Sequence, residues 1–412
     1  MKFNYLKIRD VCDFVGGSQP PKSQFIYEPK PGYVRLIQTR DYKTDAFPTY
    51  IPKSSTKKFC NEYDIMIGRY GPPIFQICRG LKGAYNVALL KVIPKEGVSR
   101  DFLYYFLKQD SVFQYVDKLS ARTGGQTGVD LVSLKNYPVR IPEKIEHQEK
   151  LVAILITIDK KIALNNRINA ELEAMTKTLY DYWFVQFDFP DVNGKPYKTS
   201  GGKMLYDTTL KREIPAGWKS GTLDDLGQIV GGSTPTTSKP ENFTANGTPW
   251  ITPNDLSDNQ SNKFISCGAQ DVSVEGIKSA SLKIYPAGTV LLSSRAPIGY
   301  MAIARNELTT NQGFKSFIPS KNYSTEYVYY AVKNNLPVIV KNASGSTFKE
   351  VSSSVLKSIN VMLPAFSVTD SFTKTVTGIF SRQEKLELEN QQLIALRDWL
   401  LPLLMNGQIT VK

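Results

Sequence analysis

The sequence predicts an α+β protein: two tandem globular domains and two long antiparallel helices that form a coiled coil, with an internal pseudo-two-fold repeat. Three observations carry this. The stretch 146–183 contains no proline or glycine and places apolar residues every three or four positions, as a long amphipathic helix does. Near the other end, Phe372, Val376, Ile379, Gln383, Leu386, Asn390 and Leu393 follow alternating gaps of four and three, a heptad. The segments that precede these two helices resemble each other along most of their length.

In chain order, residues 1–145 make a first globular domain. Short apolar runs such as Asp64–Ile67, bounded by Gly and Pro, read as strands, and DFLYYFLK (101–108) reads as a short helix. Residues 146–186 form the central helix. Its stripe is Leu151, Ile154, Ile158, Ile162, Ile168, Leu172, Met175 and Leu179. Such a helix spans roughly 55 Å, longer than a compact domain needs. Asn165 and Asn166 interrupt the stripe. A polar pair at the seam fixes the register of a coiled coil, while two asparagines facing water would leave the same pattern. Residues 187–217 read as a connector from their Pro, Gly, Asn and Lys content, either a solvated linker or, through GKPYKTSGGK, a phosphate contact. Residues 218–366 form the second domain, with Thr289–Leu292 as a strand and EYVYYAVK (326–333) as a helix. Residues 367–412 are the C-terminal helix, whose stripe includes Val376, Ile379, Leu386, Asn390 and Leu393.

The repeat is explicit. LKIRDVCDFVGGSQP (6–20) meets GTLDDLGQIVGGSTP (221–235), and LIQTRD (36–41) meets WITPND (250–255). RYGPPI (69–74) aligns with SSRAPI (293–298). Asn86, Ile93, Pro94, Ser99, Tyr104, Tyr105 and Lys108 recur as Asn311, Ile318, Pro319, Ser324, Tyr329, Tyr330 and Lys333. GGQT (124–127) meets SGST (344–347), and LKNYPVRIP (134–142) meets LKSINVMLP (356–364). In the helices KKIALNN (160–166) meets EKLELEN (384–390). The order is globular, helix, globular, helix.

A formal charge of +13 makes a polyanion the natural partner. No run of 18 apolar residues exists, and the first residues lack a signal-peptide pattern. Cys12, Cys60, Cys78 and Cys267 are widely spaced, which argues against a zinc site or a disulfide framework and fits a reducing cytoplasm. The single histidine, His147, stands at the start of the central helix and closes that terminus more naturally than it serves as a base. The chain has neither a P-loop nor a dinucleotide fingerprint, and no Asn-Pro-Pro-aromatic or Asp-Pro-Pro-aromatic tetrapeptide for methyl transfer to a flipped base. The expectation is a chain that binds and does not react, with no catalytic or metal residues.

The stretch LNNRINAELEAMTKTLYDYWFVQFDFP (164–190), NGKPYKTSGGKML after it, and KREIPAGW (211–218) resemble the central region of type I restriction–modification specificity subunits. The duplicated unit ending in Ile-Pro or Leu-Pro before a long helix resembles them too. The second helix departs from the pattern: LPAFSVTDSF lacks the His147-Gln148 pair of the first. The resemblance implies two target recognition domains, each reading half of a bipartite, asymmetric site in double-stranded DNA. It also implies a helical spacer docking two modification subunits, and further restriction subunits with translocase and nuclease activity. S-adenosylmethionine, ATP and Mg would then belong to those partners, with no cofactor in this chain and a cytoplasmic complex without a membrane.

Phosphate contacts position a reader and base edges specify it, so readout is expected from polar and basic loop residues. In the first domain these are Arg35, Gln38, Arg40, Arg69, Tyr70, Arg122 and Gln126; in the second, Thr252, Asn254, Ser294, Arg295, Ser346 and Lys349. Leu151, Ile158, Ile162, Asn165, Leu172, Val376, Ile379, Leu386, Asn390 and Leu393 are expected at the helix–helix and partner interface. Two other classes compete: a stand-alone methyltransferase or nuclease with unfamiliar motifs, and a purely structural coiled-coil adaptor. Methyl transfer by the purified chain would mark the first. DNA binding by residues 1–145 alone would exclude the second.

Overall fold

The computed structural model describes all residues except Met1, Pro72, Ser120, Gly124, Gly125, Ala296, Lys321, 345–348 and 410–412, and describes only the backbone for the rest of 121–127. The chain divides into two units, Met1–Ile162 with Gln392–Lys412, and Ala163–Gln391. Each is α+β.

In the first unit Phe3–Lys7 pairs antiparallel with Pro138–Pro142. A four-stranded sheet runs in the order Cys12–Gly16, Leu89–Pro94, Ile65–Gly68, Ile77–Cys78. A second runs Tyr50–Pro52, Tyr33–Ile37, Gly83–Tyr85, Phe59–Cys60. Helices Arg100–Leu107 and Asp110–Leu119 cover the core with Leu151, Val152 and Leu155 of the central helix and Leu401, Leu404 and Met405 of the C-terminal one.

The second unit repeats this plan. Lys219–Thr222 pairs with Asn360–Leu363. One sheet runs Gly227–Gly231, Lys315–Pro319, Val290–Leu292, Met301–Ala304, Phe264–Ile265, and the other Phe243–Thr244, Gln270–Val272, Thr248–Ile251, Thr309–Thr310. Register is kept: Leu36 faces Ala84 and Ile37 faces Tyr85 in a parallel pair, as Trp250 faces Thr309 and Ile251 faces Thr310. The recurring Ser99 and Ser324 are both N-caps, accepting from the backbone N–H of Phe102 and Tyr327. The helices they start then differ: the first unit breaks its helix at Gln109, whereas the second runs on as Thr325–Lys341.

The long helices are Ile145–Tyr180, followed by a π-helical turn Asp181–Val185, and Phe366–Met405. The central stripe corrects the expectation. Ile154 and Met175 are exposed; the buried seam runs through Gln148, Leu151, Val152, Leu155, Ile158, Asn165, Asn169, Thr176 and Tyr180, with Ile162 and Leu172 half-buried between them. This is a heptad whose second half is polar, so counting apolar residues alone admits two exposed positions and misses the buried Asn169 and Thr176. Asn165 lies at the seam rather than in water. Its Nδ2 donates to Asn390 Oδ1 (2.9 Å) and Glu389 Oε2 (2.8 Å), and Asn390 Nδ2 donates to Asn166 Oδ1 (2.7 Å). Gln383 Nε2 donates to the Asn169 carbonyl in the same antiparallel sense. Val376 and Leu386 are buried, and Ile379 and Leu393 half-buried.

Closure at the start of the central helix falls to Gln148 rather than to the His147 side chain. Its Oε1 accepts from Ser99 N (2.7 Å) and its Nε2 donates to the carbonyls of Gly97 and Pro142. The corresponding position of the C-terminal helix is Phe372, buried against Tyr180, Trp183 and Phe184. One unit therefore seats its helix by hydrogen bonds and the other by aromatic packing. That explains the departure at LPAFSVTDSF.

The connector also differs from expectation. Phe187, Phe189, Ile214 and Trp218 are buried in the core of the second unit, and Phe189 stacks on Tyr197 and Trp218. Met204–Asp207 and Arg212–Pro215 form a hairpin. Gly, Asn and Lys mark its turns; the aromatic residues between them make it part of a domain.

A buried ionic cluster fixes the second unit to its helix segments. Lys263, almost fully enclosed, reaches Glu173 (2.7 Å), Gln383 Oε1 (2.7 Å) and the Tyr330 hydroxyl (3.1 Å). Lys333 lies 2.6 Å from Glu173. Glu387 accepts from the backbone N–H of Lys263 and Phe264 and pairs with Arg305 at 3.1 Å. Burial alone would raise the Glu173 carboxyl; the two ammonium groups outweigh it and hold the pKa at about 2. Burial pushes Glu387 up to about 7 against those donors. A carboxyl whose folded pKa is depressed stabilises the fold above its unfolded pKa, and that contribution is lost as pH falls through the folded value. Glu173→Gln leaves Lys263 buried without its acid and is expected to cost about 3 kcal/mol near neutral pH. In urea unfolding the gap from the native chain should narrow as pH falls from 4.5 towards 2; a gap independent of pH would show that the charge of Glu173 carries no stability.

Candidate nucleic-acid interface

In each unit, loops from four parts of the sequence converge on one short turn, Tyr85–Ala88 in the first and 310–313 in the second. Asn86 Oδ1 accepts from Ala88 N (3.1 Å), and Asn311 Oδ1 accepts from Gly313 N (2.8 Å), so the side chain closes its own turn. The backbone around the turn is then used identically. Ser18 N donates to Tyr85 O and Ser233 N to Thr310 O; Asn86 N donates to Ile37 O and Asn311 N to Ile251 O. Arg69 N donates to Ala88 O and Ser294 N to Gly313 O. Finally Val129 N donates to Arg69 O and Val351 N to Ser294 O. The second glycine of the repeated Gly-Gly-Ser motif follows from this crowding: a Cβ on Gly17 would lie 2.0 Å from Asn86 O, and one on Gly232 2.0 Å from Thr310 O.

These bonds place the candidate readers side by side within each unit. The segment after the second-sheet strand is capped by an acid in both: Asp41 accepts from Gln38 N (2.8 Å) and Asp255 from Thr252 N (2.7 Å). A Cβ on Gly68, just before Arg69, would lie 3.4 Å from Thr39, and one on Gly313, which receives Ser294 N, would lie 2.9 Å from Pro253. Arg35 pairs with Asp45 at 2.7 Å and lies 4.0 Å from Asp41. Gln38 Nε2 donates to Thr49 Oγ1 (3.3 Å), and Arg40 Nη2 donates to the Phe47 carbonyl (3.3 Å) with about half of its side chain exposed. The Arg69 guanidinium stands over the Tyr70 ring at 5.0 Å, and Tyr70 bridges to Gly128. That bridge puts Arg69 and Tyr70 beside the hairpin Ala121–Thr123 and Gln126–Gly128, which carries Arg122 and Gln126; the side chains of those two lie outside the described residues.

In the second unit the Thr252 hydroxyl is engaged by Asp255 (2.6 Å), while Asn254 is exposed on the first turn of Pro253–Asp258. Ser294 is fully buried. Arg295 bridges to Glu350 through its backbone, and its guanidinium lies 4.0 Å from that carboxylate. Lys349 is exposed beside it, and Ser346 lies outside the described residues. Lys315, absent from the sequence-based set, joins the site by lying 3.5 Å from Glu350. The equivalent Asn86 and Asn311 were visible as an identity, but their turn-forming role was not.

The hydrogen bonds correct the alignment by one residue. Arg69 corresponds to Ser294, and Arg295 to Tyr70, because Tyr70 bridges Gly128 as Arg295 bridges Glu350. The first loop is one residue longer, closing from Phe75 N to Gly68 O where the second closes from Gly299 N to Ser293 O, so the matching Pro-Ile pairs fall out of step with the backbone. At equivalent points the two units thus present Gln38 and Thr252, Arg40 and Asn254, Arg69 and Ser294, Tyr70 and Arg295.

The arrangement defines a recognition module built in duplicate, one backbone scaffold with two sets of side chains. Residues 2–174 and 215–396 match the family described as type I restriction modification DNA specificity domain, and the chain belongs to that family. It is 42% identical over 169 residues to the specificity subunit of the type I restriction enzyme MjaIX of Methanocaldococcus jannaschii, covering 40% of this chain and 39% of that protein. It is 28% identical over 361 residues to the HindI specificity subunit of Haemophilus influenzae, covering 75% of this chain and 77% of the relative. The crystal structure of a type I restriction–modification S subunit from M. genitalium shares the fold, with a TM-score of 0.55 at 15% identity, over 98% of this chain and 96% of that one. Members of this family are recognition subunits, not catalysts. Among the described residues no group of three or more His, Cys, Asp or Glu is placed to hold a metal, and no helix is long and apolar enough to cross a membrane.

Arg69 is the most direct test of the first unit. If it makes a bidentate base contact, Arg69→Ala should cost about 1–3 kcal/mol and relax discrimination only in the half-site read by that unit. A uniform loss on all sequences with a shallower salt dependence would make it a phosphate anchor instead.

Proposed function

We propose that this chain is the sequence-specificity subunit of a cytoplasmic type I restriction–modification complex, reading a bipartite, asymmetric site in double-stranded DNA. One observation carries the asymmetry: a common hydrogen-bonded backbone presents different accessible side chains at equivalent positions, Arg40 against Asn254 and Tyr70 against Arg295. A shared scaffold docks each unit on a duplex in the same way, and unlike side chains then read unlike bases. The formal charge of +13 supplies phosphate contacts to both.

The partners are two copies of a modification subunit, joined by restriction subunits for translocation and cleavage. The long helices support the pair of equal partners. Leu164 and Leu388 are 42% and 37% exposed, and Met175 and Trp399 are 60% and 61% exposed. Each pair occupies matching positions of the two repeats, as two docking points for one kind of protein would. S-adenosylmethionine, ATP and Mg belong to those partners. Equilibrium dialysis of the purified chain with labelled S-adenosylmethionine should detect no binding, and DNA methylation should require the added modification subunit. Micromolar binding, or methyl transfer by the chain alone, would contradict this assignment in favour of a stand-alone methyltransferase.

A further inference from the structure

The helix seam places sequence-equivalent positions in contact. Asn165 touches Glu389, its own equivalent, and Asn166 touches Asn390, its own equivalent. A helix that meets its equivalent could in principle meet a second copy of itself, so something must select the partner. Farther along, one equivalent pair reverses charge and another replaces a carboxylate by an amide. In the first unit Asp159 accepts from the Tyr105 hydroxyl (2.6 Å) and from Arg397 (3.0 Å). In the second, the equivalent of Asp159 is Gln383 and that of Arg397 is Glu173. Tyr330, the equivalent of Tyr105, donates to Glu173 (2.9 Å).

Substituting each helix by a copy of the other shows what these charges do. If the second repeat paired with itself, Arg397 would take the place of Glu173, against Lys263 and Lys333, which now lie 2.7 and 2.6 Å from that carboxylate. Lys263 has only 4% of its side chain exposed, so a third cation would crowd a buried ammonium, with Glu387 of the same repeat as the remaining carboxylate beside it. Glu389 would also meet Glu389 of the copy where it now accepts from an amide. If the first repeat paired with itself, Asn165 would meet Asn165, which is neutral and can hydrogen-bond. Glu173 would meet Asp159, with the Arg79 guanidinium 4.0 Å from the latter to offset part of the repulsion. The penalties fall mainly on one side.

We infer that the seam is a charge-coded interaction surface: the second repeat accepts only a helix with an amide at the Asn165 position and a carboxylate at the Glu173 position. It therefore pairs with the first repeat and rejects a second copy of itself. The first repeat carries no comparable barrier. Repeats exchanged between copies of this chain would thus combine as first with second, or first with first, and not as second with second.

Two substitutions in the full-length chain recreate the contacts of a self-paired second repeat. Asn165→Glu sets two carboxylates face to face, and Glu173→Arg sets a guanidinium against Lys263. Glu389→Asn recreates the amide contact of a self-paired first repeat. Thermal unfolding should show lower melting temperatures for N165E and E173R, and little change for E389N. The double variant N165E/E389N, which merely moves the acid to the other helix, should return close to the native value. Should E173R fail to fold, Lys263→Gln added to it should restore folding. Equal melting temperatures for N165E and E389N, no recovery in the double variant, or no rescue by K263Q would overturn the inference.

Discussion

A single asparagine-closed turn organises each half of this molecule. Asn86 and Asn311 use their side-chain oxygens to close the turn and their backbone N–H groups to tie it to the neighbouring sheet. The carbonyls around them receive the Gly-Gly-Ser loop and the loop that carries Arg69 or Ser294. Because the loop carbonyl in turn accepts from Val129 or Val351, four distant segments are held together by backbone atoms alone. Side chains facing away from the turn can then change without disturbing it. This is the physical basis for one scaffold reading two sequences.

The long helices solve a different problem. Part of their seam is apolar and part is built from amides and ion pairs, where a continuous apolar stripe would have been more stabilising. An apolar seam would be indifferent to its partner. Buried Asn165, Asn390 and Lys263 are costly to mismatch, so they exchange stability for a defined register and a defined neighbour. Gln148 and Phe372 show the same divergence at the helix starts, where one unit uses hydrogen bonds and the other aromatic packing for the same seat.

Much of this was legible in the sequence because duplication reports on structure twice. The identities at Asp10 and Asp225, Asn86 and Asn311, and Ser99 and Ser324 are all caps or turn-closing groups, as are the aligned Asp41 and Asp255. These short-range hydrogen bonds tolerate few other side chains. What the sequence hid has equally physical causes. Apolar periodicity selected Ile154 and Met175 over Asn169 and Thr176, since a polar seam carries no hydrophobic signal. One extra residue in the first loop, between Gly68 and Phe75, put the Pro-Ile pairs out of step, so the strongest local match aligned Arg295 with the wrong neighbour. The connector looked like a linker because its turns are rich in Gly and Lys, while Phe189 and Trp218 were building a core. Of the candidate readers, Thr252 and Ser294 turn out engaged or enclosed, and Arg40, Asn254 and Lys349 stand open.

The central claim is that two unlike readers share one scaffold in one chain. Sequencing methylated bases across the host genome, with the gene intact and deleted, tests it most directly. The expected result is a methylated motif of two different specific segments separated by a fixed stretch of unread bases, lost on deletion. A continuous or palindromic motif, or a methylation pattern unchanged by the deletion, would contradict it.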